Sequence, residues 1–429
     1  MLLKFTVDNY RSFGREMTLD LAASNGIRDN IEGAFTDAGN NKILNVVAFY
    51  GANSSGKTNF LRAIGNMRRI IVQSVKLNEN DSLPYDPFLL STVKLHPTKF
   101  EATIFNMVDK TTYTYGFEYL PSSITKEWLF MKSPKKSTKK LFIRDGEKME
   151  IDPNNFTEGL NITVKLNKNR LFLSLVGQLG GDISNNIITL FQNKLRVISG
   201  IEDSDYSDYT RRLVHENKKY KTLAQDFLRN MGLGFNEFET KKIEFEKIVF
   251  PQGFPAELIE QFRGRTIIEV SSIHSVYDEN GNIVEQIKLN LDENESAGTN
   301  KIFNLTGPIL EALQNGLTLV IDELDSQMHP LISWKLVEKF NNQESNPHGA
   351  QLLFTTHDTH LLSNRLFRRD QIWFVQKDSK DCSCIYPMME ATDKLGHAPR
   401  SDSNYQKNYI QGIYGAIPYF TNETPTESV

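Results

Sequence analysis

Cysteine is nearly absent: the 429-residue chain holds two, Cys382 and Cys384. With no second cysteine pair a zinc site would have to recruit distant histidines, and two reduced thiols are expected rather than a metal site or a disulfide. No run approaches the roughly 18 consecutive apolar residues of a membrane-spanning helix. The opening Met1-Leu2-Leu3-Lys4-Phe5-Thr6-Val7-Asp8 carries charges where a signal peptide needs its apolar stretch. No membrane role is therefore expected, and the location reads as cytoplasmic. Charge of one sign is also lacking, since 49 Lys and Arg against 53 Asp and Glu leave a net charge of −4. Nothing global argues for a polyanionic partner, and any nucleic-acid contact has to be a local patch. No heptad pattern is sustained and no repeat recurs at a period of about 20–50 residues, which excludes long coiled-coil arms and solenoids.

What is present begins with Gly51-Ala52-Asn53-Ser54-Ser55-Gly56-Lys57-Thr58, preceded by the apolar run 43–50 and followed by a helical segment, 59–69, that opens at Asn59. This reads as a phosphate-binding loop. Glycines at both ends let the backbone curl around an anion, and the helix N-terminus supplies fixed positive potential. In such a loop Lys57 reaches the β and γ phosphates and the Thr58 hydroxyl can ligate Mg²⁺.

The length predicts two or three lobes. Residues 2–7 and 17–21 suit two strands of a hairpin at a sheet edge, and 77–85 reads as a surface loop. Strand-like segments at 99–105, 111–119, 127–131 and 141–144, separated by turn residues, predict an antiparallel layer. From 183 to 261 helical periodicity in 186–195 and 209–231 predicts an inserted helical lobe. It carries Arg211-Arg212 and Lys218-Lys219-Tyr220-Lys221, with Lys135-Lys136 and Lys139-Lys140 upstream, charge runs that ordinarily mark solvated faces but are the one local basis for nucleic-acid contact. Strand 266–270 and a hairpin with Asn280-Gly281 at its tip follow, then a helix over 300–314. Apolar runs at 317–321, 352–355 and 372–375 alternate with helical or polar segments, the mark of parallel strands covered on both faces. The expected division is 1–182 with the phosphate loop and β lobe, 183–261 as the insert, and 262–429 as the second part of one α/β core.

Two further segments carry chemistry. Leu317-Thr318-Leu319-Val320-Ile321-Asp322-Glu323 is an apolar strand ending in two carboxylates. Parallel strands share a carboxyl edge, so Asp322 is expected near the phosphate loop, holding Mg²⁺ through water, and Glu323 is placed to deprotonate the attacking water. The strand 351–356 delivers His357 to the same edge as a γ-phosphate contact.

Together with Glu295-Ser296-Ala297-Gly298-Thr299, Leu319-Val320-Ile321-Asp322-Glu323-Leu324-Asp325 and Thr355-Thr356-His357-Asp358, the loop resembles ABC-type ATPases of the RecF, SMC and OLD kind. Asn53 and the opening Asn9-Tyr10-Arg11-Ser12-Phe13 look like that branch rather than the transporters. The signature and the tail 408–418 resemble the small stand-alone ATPases of phage-defence loci, such as AbiLi, RloA and the PARIS ATPase AriA. The resemblance covers roughly 2–119 and 266–418.

It implies a P-loop NTPase fold of the ABC type, with a mostly parallel sheet flanked by helices, ATP and Mg²⁺ as ligands, and slow, regulatory hydrolysis. Ser296 and Gly298 lie too far along the fold to close the site holding Lys57. The resemblance implies that they cap the γ-phosphate held by a second subunit, making a homodimer, with Asp325 communicating across the interface. The plain alternative for 295–299 is a helix cap, since Ser is a good N-cap residue. The family's glutamine loop is the one piece not matched: Gln73 comes too early, and Tyr85-Asp86-Pro87-Phe88 is the substitute. Only about 70 residues follow His357 and they hold no acidic set for a nuclease. A toxic activity in defence would then belong to a separate, nuclease-like partner. A RecF-like DNA clamp and a non-hydrolysing assembly scaffold are the competing functions.

Overall fold

The structure is a computed structural model that describes residues 1–27, 29, 32–38, 41–92, 96–160, 162, 166–198, 205–235, 237–244, 267–392 and 395–418. Thr266 and the stretches 199–204, 236 and 245–265, on which part of the expected insert falls, lie outside these residues. The chain divides into two compact units, one of residues 1–200, 315–324 and 336–429, the other of 201–314 and 325–335.

The first unit is built on a six-stranded sheet in the order Leu195–Ile198, Thr318–Ile321, Gln351–Thr355, Val46–Tyr50, Ile372–Lys377 and Ser383–Pro387. The first five run parallel and the last antiparallel. Val46–Tyr50, Thr318–Ile321 and Gln351–Thr355 are buried at every position, as continuous apolar strands covered on both faces must be. The helix Lys57–Gln73 buries Phe60, Leu61, Ile64, Met67 and Ile71 along one stripe.

A seven-stranded antiparallel sheet runs Lys148–Ile151, Lys139–Asp145, Ser123–Lys132, Thr112–Leu120, Thr98–Phe105, Leu2–Asp8 and Met17–Asp20. The expected hairpin is there, but only Met17–Asp20 lies at the edge; Leu2–Asp8 pairs on both sides. Fully buried Gln351 stitches the two sheets: its Oε1 accepts the Leu2 amide at 2.7 Å, and its Nε2 donates to the carbonyls of Leu2 and Leu44 at 2.9 and 3.2 Å. Glu127, also fully buried, accepts from the Tyr115 hydroxyl and from the Phe172 and Leu173 amides. Burial pushes its carboxyl above the ordinary range while Arg144, 3.7 Å away, pulls the other way.

The helix Asp182–Asn193, at the start of the expected insert, belongs to this first unit, because Arg68 of the phosphate-loop helix donates to the Phe191 and Gln192 carbonyls at 3.0 Å each. The second unit holds helices Asp205–Glu216 and Lys218–Asn230 and a sheet of Glu237–Ile243, Ile267–Tyr277 and Ile283–Asn290. The last two strands form the hairpin turned at Asn280-Gly281, where Asp278 accepts the amides of Asn280 and Asn282 and Gly281 takes φ +82°. It is followed by the helix Ala297–Asn315, longer than the expected 300–314.

Candidate functional site

Three neighbouring parallel strands deliver the first unit's chemistry to one carboxyl edge. Val46–Tyr50 runs into the loop, Gln351–Thr355 beside it runs into His357, and Thr318–Ile321 beyond that runs into Asp322 and Glu323. The strand carrying His357 is thus interposed between the loop and the carboxylates.

In the loop, Ser54 takes φ +62° and Gly56 φ +113°, and Gly56 opens the helix with no side chain capping it. The first helical N–H groups are left for an anion. Gly56 is required on two counts: its φ is left-handed, and a Cβ there would strike the side chains of Ser383 and Ser12. Lys57, buried, folds back so that Nζ donates to the carbonyls of Gly51 at 2.7 Å and Ala52 at 3.0 Å. Ser55 Oγ is buried with no hydrogen-bond partner among the described residues, a cost that a phosphate oxygen would relieve. Thr58 and Asn59 are half-buried at the helix start, and Ala52, Asn53 and Ser54 cover the outer side of the loop. These groups fit a triphosphate.

Asp322 and Glu323 are held by a residue the sequence reading did not single out. The Thr355 hydroxyl donates to Asp322 Oδ1 at 2.5 Å and accepts the Glu323 amide at 2.7 Å. Glu323 itself takes φ +52°, a conformation costing about 1–3 kcal/mol that persists only where surroundings enforce it. His357 is exposed at the tip of its strand, and the next residue is fixed by Tyr50, whose hydroxyl donates to the Asp358 carbonyl at 3.2 Å.

Ser383 and Ser12 were missed as well. Ser383 Oγ donates to the Ser55 carbonyl at 2.6 Å, its amide to Ser12 O at 2.7 Å, and Asn59 Nδ2 donates to Ser12 Oγ at 3.0 Å. Ser12 lies inside the opening motif Asn9–Phe13, whereas Ser383 is 328 positions from its partner and carries no local signal. It is flanked by the two cysteines, both free thiols, and burial pushes the Cys384 thiol up.

Beside the loop, Arg11 pairs with Asp86 at 3.0 Å and Asn9 Oδ1 accepts the Phe88 amide at 3.1 Å, which brings the Tyr85–Phe88 segment against the opening motif. Arg11 and the Tyr85–Phe88 segment border a cleft of about 590 Å³ that Ser12, Asn59 and Lys377 also line. Gln73 ends the phosphate-loop helix and does not line that cleft. A larger cavity, about 1000 Å³, lies among Asp29, Phe35, Lys42, Asn45 and Arg368 and contains none of the expected site residues.

Ser296, Gly298 and Asp325 belong to the second unit. Ser296 caps its helix by accepting the Thr299 amide at 3.1 Å, the plain reading of that residue, while its exposed side chain remains at the helix N-terminus. A Cβ on Gly298 would strike the Gln327 carbonyl oxygen, and Lys301 Nζ donates to Ser326 Oγ. The turn after Asp325, closed by the Met328 amide on the Asp325 carbonyl at 3.1 Å, is thereby packed on the start of the helix Ala297–Asn315. Among the described residues no group of His, Cys, Asp and Glu forms a ready metal cluster, and no helix is long and apolar enough to cross a membrane.

With phosphate loop, interposed strand and paired carboxylates at one edge, the first unit has the fold of a P-loop NTPase of the ABC type. A family described as "AAA domain, putative AbiEii toxin, Type IV TA system" matches residues 46–363, about three-quarters of the chain. No curated protein matches. Among solved structures, the SMC head domain from Thermotoga maritima is 13% identical with a TM-score of 0.41, covering 90% of this chain and 98% of that one. An SMC head bound to the C-terminal winged-helix domain of ScpA is 11% identical at 0.41, covering 90% and 97%. The recombination mediator RecF, in a structure titled RecF-ATPrS, is 13% identical at 0.31, covering 90% and 98%. Likenesses this loose do not bear on function, and the fold assignment rests on the strand order and the loop.

Proposed function

The chain belongs to this AAA-domain family, and from that premise we propose that it binds ATP, hydrolyses it to ADP and phosphate, and pairs with a second copy of itself around the nucleotide. Lys57 would exchange the Gly51 and Ala52 carbonyls for β and γ phosphate oxygens, and the amides of 51–59 would cradle the chain of phosphates. Thr58 and Asp322 are the residues to hold Mg²⁺, which when bound neutralises charge on the phosphates. Glu323 accepts a proton from the attacking water, and His357 contacts the γ-phosphate. The cleft beside Arg11 and Asn59 is where the nucleoside would lie. Ser296 and Gly298, with Asp325 in the following loop, would complete the site of the second copy.

The observation that carries the reading is the Thr355 hydroxyl between Asp322 and the Glu323 amide. A buried threonine that fixes the Asp322 carboxylate and the backbone of Glu323 next to it, the latter in a strained conformation, is more than a strand end needs. The family's description names a putative toxin of a toxin–antitoxin system. That favours a role in defence, and we propose that nucleotide state there controls a separate effector in antiphage, abortive infection. Glu323→Gln tests the core of the proposal. It should retain ATP binding, lower turnover by about 10²–10⁴-fold, and accumulate an ATP-dependent dimer in sedimentation velocity. Unchanged turnover overturns the assignment of the base.

A further inference from the structure

The second unit contains a polar cluster that none of these roles uses. Ser272 and His274 are two apart on the strand Ile267–Tyr277 and so share a face. Ser272, fully buried, donates from Oγ to Glu295 Oε1 at 2.7 Å. His274 Nε2 lies 2.8 Å from the same oxygen and 3.0 Å from Ser272 Oγ. One carboxylate oxygen therefore takes two donors, which assigns the proton of a neutral His274 to Nε2. The Phe235 ring packs on the imidazole at a centroid distance of 6.0 Å.

Glu295 immediately precedes Ser296. Its amide donates to the Leu291 carbonyl at 3.2 Å and its carbonyl accepts Asn300 Nδ2 at 3.3 Å, so side chain and both backbone groups are fixed. Ser296 and Ala297, the next two residues, are exposed. An exposed turn at a helix start would sample several conformations if nothing anchored it; beside the Ser296 cap and the approach of Gly298 to Gln327, the bond from Glu295 ties this turn to the strand.

We propose that Ser272 and His274 are positioning residues: through Glu295 they hold the Ser296–Gly298 turn in the form that a second copy of this chain must meet. The cluster then governs ATP-driven pairing and leaves ATP capture at the phosphate loop alone. This rests on the reading that the protein pairs around ATP.

The test is made in the Glu323→Gln protein, where pairing accumulates, by measuring ATP affinity and the dimer dissociation constant at saturating ATP. His274→Ala and Ser272→Ala should leave ATP affinity within about twofold and raise the dimer dissociation constant about tenfold or more, the effect of losing a hydrogen bond to a charged group. His274→Gln, whose amide can donate near the position of Nε2, should restore pairing. A dimer constant unmoved by either alanine overturns the proposal, as does a loss that His274→Gln fails to repair while thermal melts show all variants folded. If the parent Glu323→Gln protein binds ATP without pairing, the reading of the site fails first and the positioning role falls with it.

Discussion

The phosphate loop and the Ser296–Gly298 turn each lead into a long helix, yet they are secured in different ways. Ser383 and Ser12 reach the loop, and Thr355 reaches Asp322 and Glu323 at the same sheet edge, from distant parts of the chain, and their bonds are buried or partly buried. The turn is held by Ser296 capping itself, by Gly298 against Gln327, and by the Ser272–His274 grip on Glu295, with Ser296 exposed throughout. Chemistry at a phosphate needs groups fixed to fractions of an ångström, which only a sheet edge tied from several sides provides. If the turn meets a second copy, as proposed, it must stay uncovered, and a few polar contacts are then what remains to order it.

The comparison breaks most directly at Lys57. Lys57→Ala removes a charged donor to phosphate and should weaken ATP binding by about 2–3 kcal/mol, roughly 30- to 150-fold in Kd, read by calorimetric titration. Were His274→Ala to weaken ATP binding as much, the two regions would not be separable. Next comes Thr355→Val, which takes the hydroxyl from between Asp322 and Glu323. A buried donor left unpaired costs about 1–3 kcal/mol, and we expect turnover to fall about 10- to 100-fold with ATP affinity nearly kept, while Thr355→Ser retains most of the rate. Equal losses in rate and affinity would show that Thr355 supports binding in general.

These residues also mark how far the sequence could be read. The apolar runs ending at Asp322 and His357, and the loop at Gly51–Thr58, carry their own punctuation, so the parallel core and its order of motifs were legible. The partners Thr355 and Ser383 were not, because a hydroxyl becomes informative only once the fold brings it opposite a backbone group 32 or 328 positions away. The helix Asp182–Asn193 has the periodicity of any amphipathic helix, and it is the burial of Ile187 and Phe191 in the first unit's core, with the bonds to Arg68, that assigns it there. Gly298 was expected to be part of a signature, and the close approach of the Gln327 carbonyl that demands a glycine there has no trace in the sequence.

That carbonyl gives a sharper test of the turn. Gly298→Ala forces a methyl group into the Gln327 oxygen, and an overpacking cost of about 1–2 kcal/mol should appear as a fall of a few degrees in thermal melting and as weaker ATP-dependent pairing. Ser383→Ala is the matching probe on the loop side and the gentlest of the four. It leaves the Ser55 carbonyl without its 2.6 Å donor but opens no charge and little volume. A single neutral hydrogen bond is worth about 1 kcal/mol, so KM for ATP should rise about fivefold with kcat almost unchanged. If kcat falls instead, the loop is tuned through Ser383 for the transition state, and its rigidity serves the reaction rather than capture alone.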